Sequence, residues 1–140
     1  SNANVLDLFA GSGACSFESI SRGASSALLV EKTRETAKCI LDNVKNLGLE
    51  DNCQLIVKDA ISFVKEEANK KYDIVFVDPP YDLKLEAEFW LNLQKYLAAD
   101  SLVIFRCKKK IDFSCPVNYQ ITREKVYGGT AVFFLSLVSE

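Results

Sequence analysis

The sequence predicts an α/β fold in which a mostly parallel seven-stranded sheet carries helices on both faces. Apolar runs typical of buried strands alternate with segments whose apolar residues recur at helical spacing. A turn containing Gly11 and Gly13 joins the first run to the first helical segment. At the end of the chain two strands follow one another with no helix between them, which predicts an antiparallel pair.

Each element is predicted from its own local pattern. Strands are expected at residues 4–9, 26–30, 53–57, 72–77, 101–107, 119–126 and 130–138. Helices are expected at residues 14–21, 33–47, 60–68 and 85–97, with Thr33 capping the second and Gly48 ending it. The residues of the second helix expected to face the core are Ala37, Ile40, Leu41 and Val44. A hairpin-like turn at Gly128 and Gly129 joins the last two strands.

Length and composition favour a single domain over residues 4–140. The chain has 140 residues, 49% hydrophobic and 26% charged, and we interpret Ser1-Asn2-Ala3 as a remnant of an expression tag. No apolar run approaches the roughly 20 residues that a membrane span requires. We expect a monomeric cytoplasmic protein with no membrane partner.

The cysteine and histidine content limits the chemistry. Five cysteines without a C-x-x-C pair are expected to be buried free thiols in a reducing cytoplasm. The chain contains no histidine, which excludes Ser-His-Asp triads and the usual zinc hydrolases, and we expect no metal. The net charge of −2 is weak evidence against a free-standing nucleic-acid binder.

The segment from Asp7 to Ala14 (DLFAGSGA) predicts a ligand-binding turn between the first strand and the first helix. Its glycines allow the backbone to approach a ligand closely. A dinucleotide fingerprint is incomplete, because Ser16 stands at its third glycine position. Asp7 at the mouth of the turn would repel phosphate and favour a cationic or amine-bearing ligand. The alternative is an ordinary strand-to-helix turn.

Acids also end the second and third strands. Glu31 lies 18 residues beyond Gly13, where this architecture places a carboxylate that accepts hydrogen bonds from both ribose hydroxyls. The alternative for Glu31 is a solvated strand-end acid. Asp59 and Ala60 could bind an adenine edge, through the Asp59 carboxylate and a backbone N–H, or Asp59 could be a helix N-cap.

The fourth strand ends in Asp78-Pro79-Pro80-Tyr81. The two prolines fix the backbone and leave its carbonyls free to accept hydrogen bonds, so a flat ring with an exocyclic amine suits the loop. The alternative is a strand ended by a Pro-Pro turn. With Asp7, Glu31 and Asp59, four strand ends describe a ligand that has a ribose, an adenine and a positive centre but no phosphate. S-adenosyl-L-methionine fits that description.

Four segments resemble the RsmD-type 16S ribosomal RNA (guanine-N2)-methyltransferases. They are residues 5–24 (VLDLFAGSGACSFESISRGA), 30–32 (VEK), 75–81 (VFVDPPY) and 123–135 (REKVYGGTAVFFL). Two features depart from that family. Relatives carry a further strand and helix at the N-terminus, so this chain is expected to be truncated there, and they have an acid where this chain has Phe105-Arg106-Cys107-Lys108.

The resemblance implies a class I methyltransferase with a Rossmann-like sheet. It implies direct transfer of a methyl group from S-adenosyl-L-methionine to the exocyclic N2 amine of a guanine in 16S ribosomal RNA, within an assembled or assembling small subunit. Asp78, Pro79 and Tyr81 are expected to be catalytic, and Pro80, Tyr81, Arg106 and Lys108 to bind substrate. The expected cofactor-binding residues are Asp7, Phe9, Ala10, Gly11, Gly13, Glu31, Lys32, Asp59, Ala60 and Asp78.

Three interpretations remain open on the sequence alone. The enzyme could instead methylate adenine in DNA or a protein glutamine amide, because the loop recognises a planar amine more than a particular base. A non-catalytic S-adenosyl-L-methionine-binding module in ribosome assembly is the third. Two basic clusters are either solvated or touch RNA, and they comprise Arg106, Lys108, Lys109 and Lys110, and Lys32, Arg34 and Lys38.

Overall fold

The structure is a computed structural model that describes residues 2–109 and 113–138. The described residues form one seven-stranded sheet with four α-helices. The strands are β1 (Asn4–Leu8), β2 (Ser26–Glu31), β3 (Cys53–Val57), β4 (Tyr72–Val77), β5 (Leu97–Lys108), β6 (Tyr119–Tyr127) and β7 (Thr130–Leu137). The helices are α1 (Ala14–Ser21), α2 (Arg34–Asn46), α3 (Ala60–Phe63) and α4 (Ala87–Leu93).

The strand order is β3-β2-β1-β4-β5-β7-β6. The first five strands pair in parallel, while β7 pairs antiparallel with both β5 and β6. Of the described strands, β7 alone therefore runs against the others, and it lies between β5 and the edge strand β6. The predicted mostly parallel seven-stranded sheet is confirmed.

Helices cover both faces of the sheet, as predicted. On one face α1 and α2 pack over alternate strand residues, with Val5, Leu29 and Ile40 in the core. On the other face α3 and α4 cover a larger core that contains Leu6, Val75 and Trp90, among others. From β1 the chain proceeds through β2 to the edge strand β3 and then returns to β4 on the other side of β1. The carboxyl ends of β1 and β4 therefore form the switch point where open α/β sheets bind ligands.

Two predicted helices are shorter in the structure. The helix expected at residues 60–68 ends at Phe63, and the Lys65 and Glu66 N–H groups bond three residues back, to Ser62 and Phe63. The Tyr96 hydroxyl lies 3.1 Å from the Phe63 carbonyl and 2.9 Å from the Glu66 carbonyl. A tyrosine from a distant segment thus bonds the Phe63 carbonyl, which in a helix continuing to residue 68 would accept from the Glu67 N–H.

The helix expected at residues 85–97 is α4 followed by a 3₁₀ turn, Gln94–Tyr96. Leu97 already belongs to β5, where it pairs with Tyr72 of β4. β5 consequently begins four residues before the predicted strand. The pairing with β4, which local sequence does not contain, sets this boundary.

Three side-chain predictions are corrected. Leu41 is exposed, because the apolar face of α2 is centred on Ala37, Ile40 and Val44 and leaves Leu41 at its border. Cys39 and Cys115 are exposed and Cys15 is partly exposed, so the expected burial holds for Cys53 and Cys107, while all five cysteines are free thiols as predicted. Thr33 occupies the N-cap position of α2 without a side-chain hydrogen bond.

Among the described helices, none combines the length and the apolar character that a bilayer span requires.

Candidate functional site

The carboxyl ends of four neighbouring strands bring the predicted acids together. In spatial order they are Asp59 after β3, Glu31 at the end of β2, Asp7 in β1 and Asp78 after β4. Parallel pairing places all four at one edge of the sheet. The four acids that the sequence predicted to share one edge therefore do so in the structure.

The glycine turn has a strained backbone that favours glycine. Phe9, Gly11 and Gly13 have φ values of 60°, 57° and 83°. A Cβ on Gly13 would lie 2.8 Å from the Phe17 ring, so the helix can pack closely only over a glycine. A Cβ on Gly11 would meet nothing nearer than the Phe9 carbonyl oxygen at 3.9 Å. Gly11 therefore leaves open space above the turn.

Glu31 is buried and connects the two turns that border the site. Its Oε1 accepts a hydrogen bond from the Gly11 N–H at 3.1 Å, and its Oε2 accepts one from the Thr33 N–H at 2.8 Å. These bonds fix the carboxylate in place and leave further lone pairs on both oxygens. The interpretation of Glu31 as a freely solvated acid does not hold.

Asp7 lies beneath the glycine turn and is only 3% exposed. Its Oδ2 accepts a 2.7 Å hydrogen bond from the Ser16 hydroxyl, and Ser16 is itself fully buried. Burial raises the pKa of Asp7 to about 7, against the lowering effect of the Ser16 bond. The expected position of Asp7 at the mouth of the turn is wrong, and its contact with a ligand stays a prediction.

Asp59 is the N-cap of α3. Its Oδ2 accepts from the Ser62 N–H at 3.1 Å, as one of the two sequence-based interpretations proposed. The cap uses one carboxylate oxygen, so contact of Asp59 with a ligand stays a compatible prediction. Ala60 follows it in the first turn, where backbone N–H groups have no partner within the helix.

A cleft of about 610 Å³ opens at these strand ends, and we name it the strand-end cleft. Seven of the ten predicted cofactor-binding residues line it, whereas Asp7, Ala10 and Gly13 do not. The lining residues are Phe9, Gly11, Val30, Glu31, Lys32, Thr33, Lys58, Asp59, Ala60, Asp78, Pro79, Pro80, Asp82 and Leu83. The structure thus brings the glycine turn, the β2 acid and the Asp78 loop around one space.

Asp78 stands at the junction of β4 and its loop. Pairing of Val77 with Phe105 puts the next residue of β5, Arg106, beside it, and Arg106 Nη1 lies 3.7 Å from Asp78 Oδ2. Partial burial raises the pKa of Asp78, and the Arg106 charge opposes that rise. Pro79 is buried while Pro80 is exposed, so the loop is anchored at its first proline.

Tyr81 is half exposed and contacts two other strands. Its hydroxyl lies 3.4 Å from Thr130 Oγ1 on β7, and the Lys108 Nζ lies 5.2 Å from its ring centroid. The cation covers one region of the aromatic face. Tyr81, a predicted substrate-binding residue, is part of the loop. Two others contact the loop, Arg106 through Asp78 and Lys108 through the Tyr81 ring.

A second cleft of about 650 Å³ lies across the Asp78 loop from the first, and we name it the aromatic cleft. All predicted substrate-binding residues line it. The lining residues are Pro79, Pro80, Tyr81, Asp82, Leu83, Lys84, Leu85, Glu86, Ala87, Trp90, Phe105, Arg106, Cys107, Lys108, Phe113, Ser114, Cys115, Pro116 and Val117. Pro79 and Pro80 border both clefts, so the loop is the partition between them.

The basic clusters lie on two sides of this arrangement. Lys108 and Lys109 are exposed at the end of β5, and Lys110 falls outside the described residues. Lys32 lines the strand-end cleft, while Arg34 and Lys38 are exposed on α2. RNA contact by either cluster stays a prediction.

Sequence reasoning missed several residues of the site. Ser16 and Thr130 contact predicted functional residues, and Thr33, Lys58, Asp82 and Leu83 line the strand-end cleft. In the sequence, Ser16 stood out only as the residue at a missing glycine position. A hydroxyl in the helix that follows a strand-end acid could have indicated a hydrogen bond to that acid. Thr130 lies in segment 123–135, and the resemblance of this segment to the methyltransferase family assigned no role to this residue.

Comparison with known proteins identifies the family. Residues 1–136 match the family described as Conserved hypothetical protein 95. The chain belongs to this family. Its relatives include the Ribosomal RNA small subunit methyltransferase D of Escherichia coli K12, 34% identical over 93% of this chain and 66% of that protein. The protein of the same name from Buchnera aphidicola of Acyrthosiphon pisum is 33% identical over 89% of this chain and 66% of its own length. The resemblance predicted from the motifs is confirmed.

The chain spans slightly less than two thirds of the length of these curated relatives. Among solved structures, a conserved hypothetical protein of Streptococcus pyogenes is 32% identical. It superposes with a TM-score of 0.87 over 95% of this chain and 84% of that one. A ribosomal protein L11 methylase from Lactobacillus delbrueckii, 18% identical, has a TM-score of 0.77 over 98% of this chain and 70% of its own. The fold is that of the class I methyltransferases.

Proposed function

We propose that this chain binds S-adenosyl-L-methionine in the strand-end cleft and methylates the exocyclic N2 amine of a guanine in small-subunit ribosomal RNA. The observation that carries the proposal is that Gly11 and Glu31 share one cleft with Asp78, Pro79 and Pro80. The proposal assigns donor binding to the glycine turn and amine binding to the Asp78 loop. The names of the E. coli and Buchnera relatives support ribosomal RNA of the small subunit as the substrate.

The cleft suits the proposed cofactor in size and in the chemistry of its wall. Its volume of about 610 Å³ falls within the roughly 300–1,000 Å³ typical of ligand sites. Glu31 has its carboxylate fixed by two backbone donors, with lone pairs left for a pair of hydroxyls. The open space at Gly11 admits a ligand against the backbone. Carboxylates on the wall favour a cationic ligand over a phosphate.

Five residues of the cleft wall receive a role toward the cofactor in this proposal. Glu31 accepts from the ribose hydroxyls, and the Asp59 and Ala60 turn recognises the adenine edge. Phe9 and Lys32 cover the ligand from the turns that carry them. When bound, S-adenosyl-L-methionine supplies an electrophilic methyl group at its sulfonium centre.

The Asp78 loop prepares the acceptor amine. The Asp78 carboxylate and the Pro79 carbonyl accept hydrogen bonds from the amine and favour a nitrogen whose lone pair points out of the ring. Holding both reactants in this geometry supplies on the order of 7–11 kcal/mol of the barrier. Tyr81 offers a stacking surface worth about 1–3 kcal/mol for a base that has left its helix.

A ribosomal particle suits the surface of this chain better than naked RNA. The net charge of −2 provides little of the phosphate neutralisation on which RNA affinity normally depends. Arg106 and Lys108 supply local positive charge next to the loop. Proteins and folded RNA of a small subunit would present the target guanine without requiring a large basic surface.

The test is methyl transfer from labelled S-adenosyl-L-methionine to four acceptors. They are undermethylated small subunits, the free 16S RNA, DNA and a total protein fraction, with the E. coli relative as a positive control. We expect label in N2-methylguanosine, with subunits favoured over free RNA. Label in N6-methyladenosine or in protein would refute the proposed acceptor, and cofactor binding without transfer to any of them would favour a non-catalytic module.

A further inference from the structure

We propose that Arg106 is a positioning residue that keeps the Asp78 carboxylate ionised and oriented while leaving its oxygens free to accept the substrate amine. This inference rests on the proposed function, because it assigns Arg106 a task in preparing the same loop. It differs from a direct RNA contact by Arg106. The two roles make opposite demands on the guanidinium, which cannot stay with Asp78 and bind a phosphate equally well.

The strand register holds the two side chains together. β4 and β5 pair in parallel with Val77 opposite Phe105, so Asp78 and Arg106 are the next residues on adjacent strands. Phe105 and Cys107 point into the core, and the alternation of a strand sends Arg106 and Lys108 to the other face. The neighbouring β7 pairs with β5 at the same level, where Val132 lies opposite Arg106. Arg106 thus projects from a strand that is paired on both sides.

The geometry is that of an ion pair and not of a hydrogen bond. Arg106 Nη1 and Asp78 Oδ2 are 3.7 Å apart, beyond the normal hydrogen-bond range. Within the described residues, no group donates a hydrogen bond to the Asp78 carboxylate. The guanidinium therefore stabilises the charge of Asp78 without occupying the lone pairs that an acceptor amine needs.

The partly buried surroundings of Asp78 make this stabilisation necessary. The Asp78 charge raises the pKa of Asp7 on β1 and of the Cys15 thiol on α1, while Glu31, Asp59 and Asp82 line the same cleft. Lys32 and Lys58 line it on the far wall. Partial burial favours protonation of Asp78, and a protonated carboxyl is a weaker acceptor. Arg106 is the cation from the adjacent strand that opposes this effect.

Lys108 places a positive charge beside Tyr81, as Arg106 does beside Asp78. Two residues beyond Arg106 on the same face of β5, its Nζ lies over the Tyr81 ring. β5 thus provides a cation at both ends of the loop. Arg106 is distinguished by facing the carboxylate.

The test measures the titration of the Asp78 carboxyl carbon by NMR in the chain without cofactor or substrate. Removing the charge with Arg106→Gln is expected to move the Asp78 midpoint to higher pH, while Arg106→Lys keeps it close to the original. Lys109→Gln removes an exposed charge from the same segment and is expected to leave the midpoint unchanged. Because Asp7 interacts with Asp78, the titrations are repeated in Asp7→Asn to isolate the Asp78 step.

Salt provides a version of the test that needs no variant. Half of each side chain is accessible to solvent, with exposures of 47% for Arg106 and 41% for Asp78, so raising the ionic strength weakens the pair. The Asp78 midpoint of the unsubstituted chain is expected to rise with salt, and the rise is expected to vanish in Arg106→Gln. An Asp78 midpoint that neither Arg106→Gln nor salt moves would overturn the proposal.

Activity measurements separate this inference from the proposed function. If methyl transfer is observed, Arg106→Gln is expected to shift the acid limb of the kcat profile to higher pH with little change in the salt dependence of KM. A reduced salt slope of KM with an unchanged acid limb would identify a phosphate contact instead and refute the positioning role. If no acceptor is methylated, the proposed function fails, while the titration still decides whether Arg106 controls the charge of Asp78.

Discussion

At the scale of single residues, Glu31 both holds two turns in place and faces the strand-end cleft. It fixes the Gly11 and Thr33 N–H groups and presents its remaining lone pairs to the cleft. A carboxylate held by two donors loses little further conformational entropy when hydroxyls bind to it. Its proposed contribution to cofactor binding therefore depends on the structure of both turns.

We expect Glu31→Ala to weaken binding of S-adenosyl-L-methionine by about 10- to 100-fold, since hydrogen bonds to charged groups contribute about 1.5–3 kcal/mol. Calorimetric titration measures the dissociation constant. Glu35→Ala, which removes an exposed acid from the first turn of α2, is the matched control and should bind as the original chain does. An unchanged dissociation constant for Glu31→Ala would remove Glu31 from the cofactor site.

For Asp78→Ala the balance of effects is reversed. Methyl transfer is expected to fall by at least about 100-fold, as losses of single transition-state contacts do, with cofactor affinity within about threefold of the original. Single-turnover transfer and calorimetry measure the two quantities on the same preparation. The exposed acid of α4 serves as control through Glu88→Ala. Equal losses of transfer and of cofactor affinity would contradict an acceptor-side role for Asp78.

Much of the site could be predicted because its residues lie at strand ends, which local patterns reveal. Glu31 and Asp78 each follow an apolar run, and parallel pairing brings such ends together. The contacts of Arg106 with Asp78 and of Thr130 with Tyr81 depend on the register of β5 and β7. Register is a property of the assembled sheet, so no window of sequence contains it.

At the scale of elements, the turn between β1 and α1 is where backbone conformation and packing meet. Two features of Gly13 favour glycine, namely its φ of 83° and the close approach of the Phe17 ring. Gly48, which ends α2, has a φ of 69°, and a Cβ at this position would have no other atom within 4 Å. A side chain at Gly48 would therefore meet only backbone strain, whereas one at Gly13 would meet both backbone strain and a steric clash.

We expect Gly13→Ala to lower the free energy of unfolding by about 2–5 kcal/mol. Left-handed backbone costs an alanine about 1–2 kcal/mol, and overpacking against Phe17 and Leu29 adds about 1–3 kcal/mol. Gly48→Ala carries only the first cost, about 1–2 kcal/mol. Urea unfolding of both variants measures the difference, and equal losses would show that the Phe17 ring moves aside without cost.

The helix boundaries show where element prediction ends. Periodicity located α3 and α4 correctly at their starts to within two residues, but it extended both beyond their ends. Tyr96 links the two ends, since its hydroxyl donates to the carbonyls of Phe63, the last residue of α3, and of Glu66, while the next residue begins β5. Neither side of that contact could be inferred from its own segment.

At the scale of the whole molecule, folding gathers acids from four strands at one edge of the sheet. Burial raises the pKa of both Asp7 and Asp78, and the charges of Asp78 and Glu31 add to the rise at Asp7. Ionising such groups opposes the folded state, and a cationic ligand in the cleft would relieve that cost. The arrangement links the stability of the domain to the charge of the ligand that it is proposed to bind.

Asp7 turns this relation into a pH dependence of stability. Its pKa is about 7 in the folded chain, against the ordinary value of 3.8, so the folded state holds a proton that the unfolded state has lost between those pH values. Stability is therefore expected to fall as pH rises through this window, by up to about 1.4 kcal/mol per pH unit. Asp7→Asn keeps an acceptor for Ser16 and removes the titration, so its stability should depend less on pH between about 5.5 and 7. Urea unfolding at several pH values tests this, with the exposed Asp42→Asn as control. Parallel curves for Asp7→Asn and the original chain would mean that Asp7 is charged in the folded state at neutral pH.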